Sequence, residues 1–106
     1  MTTDENGRAS DARRVKRIAI STPADLREAG GGARYRVAML DVSVAGFRFE
    51  CSSSIDPGVR CFLTLPGMAG LECLVAWRRG WIYGARFVNP LYPAVCDHIA
   101  AKYPCR

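Results

Sequence analysis

The sequence predicts a small, mainly β domain: an antiparallel β-barrel of about six short strands with a C-terminal α-helix packed on it. Three observations predict it. Runs of alternating apolar and polar residues, separated by turn signals, recur at close intervals as far as Val88. After Asn89 the period changes, and Leu91, Val95 and Ile99 recur every four residues, as on one face of a helix. The chain has 106 residues, 49% of them hydrophobic, which suffices for one core and one domain.

Residues 1–11 are small and polar and read as a flexible lead-in, 12–103 as the domain, and 104–106 as a tail. Ile18 to Ile20 form a short strand. Ser21 to Gly32 contain Pro23 and Gly30-Gly31-Gly32, so a loop or a wide hairpin connection is expected there. Ala33 to Leu40 alternate, with Tyr35, Val37 and Met39 on one face and Arg34 and Arg36 on the other. A polar turn, Asp41 to Gly46, leads into the alternating strand Phe47 to Cys51. Asp56-Pro57-Gly58 closes a polar loop, Val59 to Leu65 form an apolar strand, and Pro66 to Gly70 turn again. Leu71 to Trp77 and Trp81 to Val88 pair as a hairpin across Arg78-Arg79-Gly80. Trp81, Tyr83 and Phe87 share a face and are expected in the core. The helix is expected to start with Asn89 as N-cap and Pro90 at its first position, and to end near Pro104.

Composition narrows the function classes. A net charge of +5 favours an anionic partner without choosing among nucleotide, nucleic acid and lipid. The five cysteines form no C-x-x-C, and His98 has no ligand-like neighbour, so no metal site is expected. Cys51, Cys61 and Cys73 lie in apolar runs, where a reduced thiol acts as a small hydrophobe; a cytoplasmic setting follows as the expectation. The N-terminus lacks an apolar signal region, and no apolar stretch nears the ~20 residues that cross a bilayer. No membrane insertion is expected. Ser43 has no histidine placed to serve it, and no catalytic residue or enzymatic activity is expected.

Two motifs stand out. Asp41-Val42-Ser43-Val44-Ala45-Gly46 has the pattern D-x-S-x-x-G, and Arg13 to Arg17 the pattern R-x-x-x-R. By itself the first reads equally well as a turn in which Asp41 and Ser43 bond their own backbone. By itself the second reads as a solvated basic run. Together, a carboxylate, a hydroxyl, a close-approach glycine and forked guanidinium donors describe a site for an anionic nucleotide.

These motifs, followed by Val75-Ala76-Trp77 and Tyr83-Gly84-Ala85-Arg86-Phe87, resemble the bacterial PilZ domain over roughly residues 12–103. The resemblance implies a split-barrel type of fold and a receptor for the second messenger cyclic di-GMP, with no further cofactor. It implies that Arg13 and Arg17 grip phosphate and the Hoogsteen edge of guanine, with Arg14 assisting. It carries Asp41 and Ser43 over as polar contacts from the barrel, Gly46 as the opening for the base, and Trp77 as a neighbour able to stack on a base or an arginine. Ala12 stands where an extra arginine accompanies binding of a ligand pair, which points to one ligand here. A ligand bridging the arginine segment to the barrel would order it, and that change would signal to a protein partner. The protein is expected to be a monomer or weak dimer. Two other readings stand beside this one: a PilZ-like interaction module that binds no nucleotide, and a basic barrel for RNA or single-stranded DNA. The last is disfavoured because the aromatics fit a core face rather than an exposed stacking face, so no nucleic-acid partner is expected.

Overall fold

The computed structural model describes residues 16–68 and 70–105. Six strands, β1 (Ile18–Glu28), β2 (Arg34–Val42), β3 (Gly46–Glu50), β4 (Arg60–Thr64), β5 (Leu71–Arg79) and β6 (Ile82–Phe87), precede one helix, α1 (Pro93–Lys102). All neighbours pair antiparallel in a closed barrel of order β1-β2-β3-β6-β5-β4. Closure runs from Asp25 opposite Thr64 to Glu28 opposite Cys61. The mainly β barrel and the C-terminal helix are as the sequence predicts.

Of the loop or wide hairpin connection expected at residues 21–32, residues 21–28 are strand instead, because β1 continues through Pro23 to Glu28, and the hairpin turn begins only at Ala29. Its main chain explains why proline is tolerated. The Ala29 N–H donates to Arg60 of β4, so by alternation position 23 also faces the β4 side. β4 reaches only to Asp25, so the missing N–H of Pro23 leaves no partner unsatisfied. Beyond it, the same edge of β1 is covered by the chain after α1: the Ser21 N–H donates to the Tyr103 carbonyl, and Ile20 bridges Pro104.

The barrel interior holds Leu26, Val37, Phe49, Leu63, Val75 and Tyr83, with Cys61 and Cys73 opposite each other on β4 and β5. Tyr83 stacks on Phe49 at 5.1 Å, and its hydroxyl donates to the Ser53 carbonyl and accepts from the Ile55 N–H. One phenol thus fills the core and ties down the loop between β3 and β4. Cys51, Cys61, Cys73 and Cys96 are buried free thiols.

Two further expectations need correction. Trp81 is not core: it is 57% exposed. Its parity matches that of Tyr83, but it precedes the first residue of β6, past the last rung, where the barrel mouth offers nothing to bury it. The helix begins with Tyr92 as N-cap and Pro93 at its first position, three residues later than Pro90 would place it. A proline disfavours the helical conformation in the residue before it, so Tyr92 is extended and the helix cannot run through it. α1 buries Cys96 and Ile99. No helix among the described residues is long and apolar enough to cross a membrane.

Candidate functional site

The turn between β2 and β3 is built by Ser43. Its Oγ accepts from the N–H groups of Ala45 (3.2 Å) and Gly46 (3.1 Å), and the Ser43 N–H donates to the Gly46 carbonyl at 2.8 Å. The hydroxyl itself lies 3.2 Å from that carbonyl. The chain from the end of β6 holds the turn in place: the Phe87 N–H donates to the Ala45 carbonyl, and that of Leu91, on the way into α1, donates to the Val44 carbonyl.

Asp41 is buried at the end of β2, and its carboxylate faces β3. One oxygen accepts the Arg48 N–H at 3.0 Å and the other accepts Arg48 Nε at 2.6 Å. A guanidinium nitrogen of Arg17 stands 3.7 Å from the second oxygen. A buried carboxylate thus holds two arginine heads that are themselves about half exposed, so their remaining N–H donors point into solvent.

Arg17, Arg48, Trp77 and Arg86 line one pocket of about 310 Å³ on the outside of the barrel, with Ser43 and Gly46 at its rim. Strand register makes it. Gly46 lies opposite Arg86, Arg48 opposite Gly84, and Gly84 opposite Trp77 across β3, β6 and β5. Trp77 follows an irregularity in β5 and lays its indole over Gly84. Gly46 meets a different demand: a β-carbon there would fall 2.2 Å from the Ala85 carbonyl oxygen. The close approach that calls for glycine is that of the β6 backbone.

Of the residues the sequence singled out, the structure brings Arg17, Asp41, Ser43, Gly46 and Trp77 to one place. Arg13 and Arg14 lie outside the described residues. Sequence reasoning missed Arg48 and Arg86. Arg48 could have been found: it is two residues after Gly46, on the same face of an alternating strand. Arg86 depends on the pairing of β3 with β6, which no local pattern announces.

Among the described residues, no three His, Cys, Asp or Glu side chains cluster to hold a metal. Arg17 and Arg48 hold the buried Asp41 carboxylate and, with Arg86, line a pocket beside the Trp77 indole, an arrangement suited to a flat base carrying phosphate. The model of the PilZ domain family matches residues 11–102. The chain belongs to the PilZ domain family. A search among curated proteins found no match. The match covers the motif from Asp41 to Gly46 and the Trp77–Gly84 pair, so the pocket lies wholly within this PilZ domain.

Proposed function

We propose that this PilZ domain is a receptor for cyclic di-GMP that acts through a partner protein and carries no catalysis of its own. The observation that carries the proposal is the convergence of Arg17, Arg48 and Arg86 on a pocket whose wall is the Trp77 indole. Guanine presents O6 and N7 to a guanidinium fork and its face to an indole. Phosphate takes the remaining N–H donors. The Asp41 carboxylate matches the N1–H and N2–H₂ donors of guanine, and Ser43 a phosphate or base acceptor. Arg13, Arg14 and Arg17 close over the ligand from the N-terminal side, and Arg48, released in part from Asp41, turns to phosphate. The turn that would feel this is bonded to the chain entering α1 through Leu91, which offers a route from ligand to helix.

Isothermal titration with cyclic di-GMP tests the reading, with GTP as control and an Arg13→Ala/Arg17→Ala variant alongside. Saturable binding is expected for the unaltered chain. Two charge-assisted contacts of ~1.5–3 kcal/mol each are lost in the variant, so affinity should fall more than about 100-fold. Absence of heat at high ligand concentration overturns the receptor reading and leaves the interaction module.

A further inference from the structure

β3 stops at Glu50, opposite Ala38, whereas β2 starts four residues earlier at Arg34. On its other side this first stretch of β2 is fully paired, Arg34 with Arg27 through Val37 with Ala24. On the β3 side, residues 34–37 have no strand partner among the described residues. The Glu28 N–H donates to the Ala33 carbonyl, so alternation turns the main-chain groups of Tyr35 and Val37 towards β1 and those of Arg34 and Arg36 towards the open side. After Cys51, whose N–H donates to the Trp81 carbonyl, the chain leaves the barrel wall. β6 begins at Ile82, opposite Glu50, so past the end of β3 only Trp81, at the turn from β5, stands across from the open edge of β2. A groove lies there, lined by Arg36, Val37, Ala38, Cys51, Ser52 and Trp81.

We propose that this groove receives an extended acidic segment of a partner protein, added to β2 as a short strand beside Arg34–Val37. The edge supplies main-chain donors and acceptors at Arg34 and Arg36, and exposed Trp81 forms the facing wall. Charge selects the occupant. Arg34 and Arg36 are exposed on the outer face, and the Arg78 guanidinium sits 5.8 Å over the Trp81 ring while bonding Ser54. Among the described residues, Glu50 is the one carboxylate that lines the groove. Arg36 also meets Asp25 at 3.2 Å, but both are well exposed, and such a pair is weak and readily exchanged. Acidic side chains opposite Arg34 and Arg36 make favourable cross-strand pairs. A second copy of this chain does not fit: two β2 edges related by a twofold axis at Tyr35 would set Arg34 against Arg36 of the other copy. Charged edges commonly prevent self-pairing, and these two arginines do so while leaving an acidic strand acceptable. The groove is separate from the nucleotide pocket: Arg34 and Asp41 are seven residues apart along β2, ~23 Å.

The test uses the full chain and a labelled peptide of alternating glutamate and valine, with a lysine–valine peptide as control. Fluorescence anisotropy should show binding of the acidic peptide alone. Hydrogen exchange should show fast Arg34 and Arg36 amides in the free protein, slowed about tenfold or more by the peptide. Trp81→Ala should weaken binding, and Arg36→Pro should weaken it more than Arg36→Ala, because proline also removes an edge donor that β1 does not use. Three results overturn the proposal: equal binding of the lysine–valine peptide; perturbation confined to Arg17, Arg48 and Arg86; or Arg34 and Arg36 amides already protected without peptide. In the last case light scattering tells whether a second copy or the chain's own residues 1–15 cover the edge. Cyclic di-GMP titration is independent of all these readings.

Discussion

The indole of Trp77 occupies the space that a side chain at Gly84 would need: a β-carbon there would lie 2.2 Å from Trp77 Nε1 and Cε2. The glycine on β6 is therefore the seat of the tryptophan on β5. Gly84→Ala should lift the indole from the sheet and cost about 1–3 kcal/mol, the usual range for overpacking. In a Trp77→Ala background the same change should cost close to nothing, a coupling that a double-mutant cycle by urea unfolding measures. Additive costs would show that the two residues do not share this space.

Asp41 stabilises the β2–β3 end of the barrel before any ligand arrives, because it accepts both the main chain and the side chain of Arg48. Asp41→Ala leaves that N–H without its acceptor. A loss of about 1.5–3 kcal/mol is expected, in the range for hydrogen bonds to charged groups. Chemical unfolding without ligand checks it; unchanged stability would assign Asp41 to ligand alone.

Tyr83→Phe keeps the stack on Phe49 and deletes the hydroxyl bonded to Ser53 and Ile55. Leaving these two main-chain groups unpaired should cost about 1–3 kcal/mol. Amide exchange at Ile55 should quicken while the barrel strands keep their protection. If Ile55 exchange is unaffected, the loop is held by other contacts.

Alkaline pH should destabilise the fold. Burial pushes the Cys61 thiol from 9.0 up to about 11 and Cys73 up to about 12. Tyr35 rises from 10.0 to about 12, first because its hydroxyl donates to the Glu28 carboxylate and then through burial. Each group must stay protonated in the folded chain and ionises sooner in the unfolded one. Their contribution is complete below about pH 9 and is lost as pH rises through 9 towards 12. Urea midpoints should fall between about pH 8 and pH 10.5. At the lower pH a thiol reagent should modify exposed Cys105 rapidly and Cys61 and Cys73 only on unfolding.

Much of this molecule is legible locally. The alternation of Tyr35, Val37 and Met39 with Arg34 and Arg36 sets which side of β2 faces the core, since side chains on a strand point alternately. Asp41, Ser43 and Gly46 announce a polar turn that calls for a carboxylate, a hydroxyl and a close approach, and the structure has all three. Pro23 misleads, because a proline ends a strand only where its N–H is wanted, and whether it is wanted depends on how far β4 reaches.

The sequence by itself determined the strand faces, the polar turn ahead of Phe47, the presence of a C-terminal helix and the family motifs, because these are spacings of a few residues that local geometry converts directly into direction. The tertiary structure alone decided that Arg48 and Arg86 join Arg17 around Trp77, that Gly84 carries the indole, and that Trp81 stays in solvent. Those outcomes depend on which strands lie side by side and where each one stops. That pairing comes from closing the barrel over one shared core, and it links residues such as Gly46 and Arg86 that are far apart in the chain.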